Sequence, residues 1–260
     1  MDTVVCMKQV PDTETLIKIN SEGTGIVTEG IKWIMSPYDE YAVEEAVRQK
    51  EKVGSGNVTL VSLGPDRAID AIRSGLAIGA DTAIHINDPA FTEKADPYST
   101  AVVLAAAIKD LTYDAIFCGK QAVDDDSGQV PAILGELLGL PVVTVVIKLE
   151  ISADKKTATA TREIEGGHAV IEVPLPAIFT AQRGLNEPRY ASLPSIMKAK
   201  KKPVTVKTVS DLGVNVEPMN IVKSLSLPPT RAAGKIIEGD DADAKAVALA
   251  RALHEEAGLI

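Results

Sequence analysis

Over the first half of the chain, short apolar runs alternate with longer segments whose apolar positions recur every three or four residues. The runs are Thr3 to Val10, Asn57 to Leu63, Thr82 to Ile86, Tyr113 to Cys118 and Val142 to Leu149. Their richness in Val, Ile and Leu predicts strands covered on both faces. Ser36-Pro37-Tyr38-Asp39 supplies an N-cap, a proline at the first helical position and an acid three residues after the cap. The helix so predicted reaches about Lys52, with Ala42, Val43, Ala46 and Val47 on its apolar face. Gly64-Pro65-Asp66 predicts a second helix, carrying Ile69, Ile72 and Leu76 and closed by Gly79. Asp96 and Pro97 open a third over Ala101 to Ile108, and Ile133, Leu134, Leu137 and Leu138 mark a fourth. Such alternation predicts an α/β fold with a doubly covered, mostly parallel sheet.

Three stretches depart from it. Leu16 to Ile19 and Gly25 to Val27 predict a small hairpin, because glycines and short length exclude a central strand. Thr157 to Ile164 and Ala169 to Val173 alternate with period two around Glu165-Gly166-Gly167-His168 and predict a second hairpin, after which Pro176 to Thr180 returns to the core. From Gln182 onward Gly184, Pro188, Pro194 and Pro203 interrupt the chain, and beyond Lys207 only short strands, loops and one helix, about Asp241 to Glu256, are expected. The chain is thus divided into an α/β domain (1–182), a loop (183–202) and a C-terminal appendage (203–260) too poor in periodic apolar surface for its own core.

The 260 residues are 45% hydrophobic but only 3% aromatic, with mean hydropathy +0.10, as expected of aliphatic parallel strands flanked by helices. A net charge of −9 argues against a nucleic-acid surface. No run approaches the roughly 18 apolar residues of a membrane span, and Met1 to Cys6 lacks a charged signal-peptide head. A cytoplasmic protein without membrane insertion is expected, or one in the mitochondrial matrix if a presequence was removed. Cys6 and Cys118 fall in predicted strands and read as small core hydrophobes, while His85, His168 and His254 are scattered without metal-ligand spacing.

The candidate chemistry gathers at Gly119 to Val130, a turn between a buried strand and a helix, where open α/β sheets bind ligands. Asp124, Asp125 and Asp126 can cap free N–H groups of the following helix, and Ser127 and Gly128 would let a ligand approach the backbone. An acidic, well-capped helix start is the plainer alternative. Gly54-Ser55-Gly56 precedes a strand instead of following one, and is a turn; there is no phosphate-loop motif and no catalytic constellation. The residues alone therefore reach a phosphate- or nucleotide-sized ligand at the C-terminal edge of the sheet.

Several segments together resemble the beta subunit of electron transfer flavoproteins. They are Cys6 to Asp12, Met35 to Glu40, Gly119 to Val130, Thr161 to Gly167 and Leu185 to Lys202, in the family's order and nearly end to end. The resemblance implies a Rossmann-like domain of the adenine-nucleotide-binding kind, paired with an alpha subunit that carries the electron-transferring FAD. It implies a nucleotide site at Cys6, Met7, Ser36, Asp39, Gly64, Gly119, Asp124, Ser127, Gly128, Gln129 and Val130, with Gly64 and Gly119 ending neighbouring strands. AMP occupies that site in simple carriers, and a second FAD in electron-bifurcating members that oxidise NADH. A phosphate there would fall to the backbone and Ser127, with at least one Asp facing ribose hydroxyls or capping the helix.

The same resemblance makes Gly184 to Lys202 a partner-recognition loop. Leu193 is its anchor for an acyl-CoA dehydrogenase, with Pro194, Ile196, Met197 and Lys198 beside it, and the lysines from Lys198 to Lys202 could steer an acidic partner. Electrons would pass on to a quinone oxidoreductase or another acceptor. The compact turn Asp124 to Val130 resembles bifurcating members, whereas Gly166-Gly167 and the recognition loop resemble simple carriers; AMP is the expected nucleotide, with a second FAD as the alternative. A stand-alone regulatory domain like the universal stress proteins is the rival from another class, and would give Leu193 no role.

Overall fold

The computed structural model describes residues 1–229 and 233–260. The first predicted strand is split. Strand β1 (Thr3–Cys6) stays in the main sheet, whereas β2 (Gln9–Pro11) leaves it to pair antiparallel with β3 (Trp33–Met35). All of β1 is buried, but Gln9 and Pro11 are only half-buried, and a proline cannot donate to a central ladder. The small hairpin expected between β2 and β3 reduces to one antiparallel bridge, Ile19 with Ile26.

The predicted alternation follows as α1 (Pro37–Val53), β4 (Val58–Leu63), α2 (Ala68–Ile78), β5 (Thr82–Ile86), a short α3 (Pro89–Thr92), α4 (Pro97–Ile108), β6 (Ala115–Gly119), α5 (Val130–Leu138) and β7 (Val142–Ile151). Asp96 caps α4 as expected, accepting from the Ser99 N–H at 2.9 Å. Ser36 stands at the cap of α1 but makes no capping bond, and its hydroxyl is buried without a partner. Gly54 ends α1 in the left-handed conformation (φ 77°), so the glycine pair is a turn. Then come the expected hairpin β8 (Thr157–Ile164) and β9 (Gly167–Pro174), followed by β10 (Ala177–Ala181), α6 (Leu193–Ala199), β11 (Val204–Lys207) and, after a 3₁₀ turn at Ser210–Leu212, the late helix α7 (Ala242–Arg251).

Nine strands form the main sheet in the order β11-β5-β4-β1-β6-β10-β7-β8-β9. Those from β11 to β7 are parallel, and only the hairpin β8 and β9 runs antiparallel. Alternate residues of the central strands serve the two faces. Val5, Leu60, Phe117 and Phe179 pack under α1 and α2 with Val43 and Leu76, while Val4, Cys6, Ile116 and Cys118 pack under α4 and α5 with Leu104 and Leu134. The stretch after residue 202 differs from expectation: β11 extends the sheet edge beside β5. Val209 is buried in the core on the α4 side, with Leu212, Val214 and Val216 against it. Asp96 accepts from the Met219 and Asn220 N–H groups, so the exposed arm begins only after Asn220. The order reverses at β1, with β4 and β5 on one side and β6 on the other, which leaves a crevice beyond the C-terminal ends of β1 and β6.

Candidate functional site

A cleft of about 260 Å³ opens at that crevice. Cys6 and Met7 from the end of β1, Leu63 from β4, Leu104 from α4 and Cys118 from β6 give it an apolar lining. Its polar part includes Lys8, Asp39, Asp96, Gly119, Gln121 and the turn from Asp125 into the start of α5. Cys6 and Cys118 are free thiols opposite each other in the ladder. The Cys6 contact and burial together hold the Cys118 thiol well above its ordinary range, which argues against Cys118 as a nucleophile.

Asp39 organises the crevice. The sequence places it three residues after the cap, but instead of folding back onto Ser36 its carboxylate spans the two strand ends. Oδ2 accepts from the Lys8 N–H at 2.7 Å and Oδ1 from the Gly119 N–H at 2.9 Å. A side chain on Gly119 would put its Cβ 2.5 Å from Asp39 Oδ1 and 2.8 Å from Tyr38 Cβ, so only glycine admits this bridge. Burial pushes the Asp39 carboxyl up to about 7, against the pull of the two N–H groups and the Lys8 charge.

The acidic turn is held differently from expectation. Lys8 Nζ reaches Asp124 Oδ1 at 2.9 Å and Asp125 Oδ2 at 3.0 Å. Burial opposes the Lys8 charge, but the two carboxylates hold its ammonium above its ordinary range. Asp125 also accepts the Ser127 N–H at 3.0 Å, and Asp126 accepts from Gln121 Nε2 at 2.6 Å. Burial would raise the Asp125 carboxyl, yet Ser127 and Lys8 bring it below the usual carboxylate range. None of the three caps α5, whose cap residue Gln129 makes no side-chain bond. Ser127, Gly128 and Gln129 separate Asp126 from the first residue of α5, Val130, and the carboxylates are spent inside the loop. The first-turn N–H groups of α5, less the one missing at Pro131, therefore have no capping side chain, and Gln129, Val130 and Pro131 line the cleft.

Most of the predicted positions converge. Cys6, Met7, Asp39, Gly119, Ser127, Gly128, Gln129 and Val130 all line the cleft. Asp124 reaches it through Lys8, and Asp125 lines it directly. Ser36 and Gly64 do not line it. Ser36 donates its backbone N–H to Lys8 O, and Gly64 turns its carbonyl to His85 Nε2 at 3.0 Å, which explains the buried histidine. Leu63 takes the lining position instead, and β4 and β6 flank β1 instead of neighbouring each other. Sequence reading missed Lys8 as well, although a single cation beside a strand end facing three acids was a usable signal.

On the α1 and α2 side, the recognition stretch is ordered and includes α6, capped by Ser192 through the Ser195 N–H. Leu193 is 79% exposed and Met197 70%, so neither is tucked into the core. Pro194, Ile196 and Lys198 are exposed beside them. Lys202 is different: it turns inward to Leu76 O at 2.8 Å and to Ala80 O, leaving Lys198, Lys200 and Lys201 as the exposed cations of the run.

Residues 24–212 match the family model of the electron transfer flavoprotein domain, a span that runs from the bridge before β3 through α6 and β11. Over 263 aligned residues the chain is 43% identical to the electron transfer flavoprotein subunit beta of Bacillus subtilis, covering 100% of both. The chain belongs to the electron transfer flavoprotein beta-subunit family. Its general role is that of an electron-carrier subunit. The mitochondrial electron transfer flavoprotein subunit beta of Arabidopsis thaliana is 39% identical over 93% of this chain and 95% of its own. That of Homo sapiens is 42% identical over 90% and 92%. The family match takes in the α/β core from β3 onward and the stretch from Gly184 to Lys202, and the full-length Bacillus subtilis alignment adds β1 and β2. Among the described residues there is no group of His, Cys, Asp or Glu that could hold a metal ion, and no helix is long and apolar enough to cross a membrane.

Proposed function

We propose that this chain is the beta subunit of a heterodimeric electron transfer flavoprotein that binds AMP in the switch-point cleft. The heterodimer takes electrons from acyl-CoA dehydrogenase-type flavoenzymes and delivers them to a quinone oxidoreductase. The FAD, held mainly by the alpha subunit, supplies the redox chemistry; this chain supplies binding and docking. The observation that carries the nucleotide assignment is the cleft itself. Its apolar lining suits the flat faces of a base, and its polar part offers a helix N-terminus without a side-chain cap, the Gly119 and Gly128 backbone, and Lys8. Lys8 answers the electrostatic objection raised by three consecutive acids, because it screens two of them at the cleft mouth.

In this reading Cys6, Met7 and Leu63 would flank the base, and Ser127, Gly128, Gln129 and Val130 with Lys8 would hold the phosphate. Asp39 would keep the two strand ends in place beneath them. The glycine pair Gly166-Gly167 and the stretch from Gly184 to Lys202, which resemble simple carriers, favour AMP over a second FAD. The second reading, an electron-bifurcating form with another FAD in this site, is favoured by the compact spacing from Asp124 to Val130. Releasing the bound nucleotides from the purified heterodimer by denaturation, and counting them by chromatography, decides between the two. One FAD and one AMP per heterodimer is expected. Two FAD without AMP would establish the bifurcating form, and neither nucleotide would return the cleft to the regulatory-domain reading.

A further inference from the structure

We propose that Arg189, supported by Asn186 and Arg73, is a positioning residue that sets the docking shape of the recognition segment before any partner arrives. This rests on the reading of Leu193 as the anchor for a flavoenzyme donor. Leu193, Met197 and the fully exposed Tyr190 stand in water along residues 190–197. A free segment of this kind would fold its apolar side chains away and lose the freedom to do so on docking, at a cost to affinity. Here it is pinned at both ends.

At the entrance, the buried Asn186 donates from Nδ2 to Tyr41 O and to Glu45 Oε2, each at 3.0 Å. Three residues later the Arg189 fork grips two acids of α1. Its Nε and Nη2 donate to the Glu44 carboxylate at 2.8 and 3.0 Å, its Nη1 and Nη2 to Glu51 at 2.7 and 2.9 Å, and its backbone N–H to Glu44 at 3.2 Å. At the exit, Arg73 on α2 donates from Nη1 to Ala199 O at 2.7 Å and Lys202 O at 2.8 Å. Between the two clamps the Ser192 cap fixes α6.

A half-exposed pair such as Arg189 with Glu51 adds little to global stability. What the fork fixes is direction. Glu44 is buried on α1, and a planar guanidinium bound bidentately to it leaves one orientation for the chain that follows, which a lysine's point charge would not. The segment thus presents Leu193 from a frame whose ordering cost is met on folding.

The test uses the intact heterodimer in four forms: Arg189→Lys, Glu51→Gln, Leu193→Ala, and Arg189→Lys with Leu193→Ala. Arg189→Lys keeps a cation beside the buried Glu44, and Glu51→Gln leaves that buried pair untouched, so one of them remains informative if the other fails to fold. With substrate-reduced acyl-CoA dehydrogenase as donor, each clamp variant should raise the apparent KM for the heterodimer roughly three- to tenfold at unchanged kcat. Amide hydrogen exchange over residues 185–199 should accelerate, while reduction by dithionite stays unaltered. If Arg189 acts by holding Leu193, adding Arg189→Lys to Leu193→Ala should change KM little further. An unchanged KM in both clamp variants, or effects of Arg189→Lys and Leu193→Ala that multiply in full, would overturn the positioning role while leaving the anchor intact. A Leu193→Ala form with unchanged KM would instead overturn the anchor and the positioning role together.

Discussion

Asp39 is the residue on which the cleft geometry depends, and its ionisation has a thermodynamic signature. An unperturbed aspartate ionises near 3.8, whereas burial pushes Asp39 up to about 7. Between those values the folded chain holds a proton that the unfolded chain releases, so stability falls as pH rises through this window. The contribution of Asp39 is full below about pH 4, is lost by pH 7 and changes no further above it; its size is on the order of 4 kcal/mol. The charged and titratable groups around it are Lys8, Asp124 and Cys118. Asp39→Asn should flatten the dependence of unfolding free energy on pH between 4 and 7, as followed by denaturant titration of the heterodimer. An identical slope in both proteins would show that Asp39 stays ionised throughout. The position of this residue was legible in the sequence, but its role was not. A capping box is a local pattern, and the bonds Asp39 makes go to residues 31 and 80 positions away. Leu63 and Gly64 illustrate a similar limit: the strand end was readable, while which of two adjacent residues faces the cleft depends on the ladder it joins.

At the scale of elements, the turn from Lys120 to Gln129 is a loop held by ion pairs and two left-handed residues, Asp126 (φ 50°) and Gly128 (φ 60°). Gly128→Val would force a β-branched residue into that conformation, with its Cβ 3.4 Å from Lys120 O. The strain is of order 1–3 kcal/mol, and the added bulk stands beside the cleft. Nucleotide occupancy of the purified heterodimer should therefore drop at least tenfold, and full occupancy would move the pocket elsewhere. Local signals worked for most elements: the cap and proline before α4, the glycine after α1 and the period-two hairpin β8 and β9 all appear where expected. The cap-and-proline signal was equally present at Ser192 and Pro194, yet α6 was read as loop because surrounding prolines masked it. The slot of β10 between β6 and β7 could not be read, since strand order is a non-local property that no periodicity encodes.

For the whole molecule, the sheet and the C-terminal arm make opposite predictions. Strand β11 closes the β5 edge, with Ala83 N bonded to Pro203 O at 3.1 Å and Asn87 N to Lys207 O at 2.8 Å, so it belongs to the folded core. Beyond it the arm exposes Ile236 at 86% and Leu259 at 73%, and α7 buries none of its residues. Apolar surface left open along a tail is surface for another chain. Truncation after residue 229 should change the thermal midpoint of the chain by no more than about 3 °C while abolishing co-purification with the alpha subunit. Truncation after residue 202 should instead unfold the sheet edge and lower the midpoint well beyond that. A short arm-deleted chain that still captured its partner would place the assembly surface on the α/β body.

Helix α1 joins these scales. Its first turn carries Asp39 under the switch-point cleft, and its middle and end carry Glu44, Glu45 and Glu51 under residues 186–189. A foreign loop grafted onto residues 184–202 without its own arginine and asparagine would leave Glu44, Glu45 and Glu51 of the host helix without the donors that hold them here. The exchangeable module is therefore the loop together with the face of α1 that meets it, and its far boundary stops short of Asp39, where the same helix begins to serve the cleft.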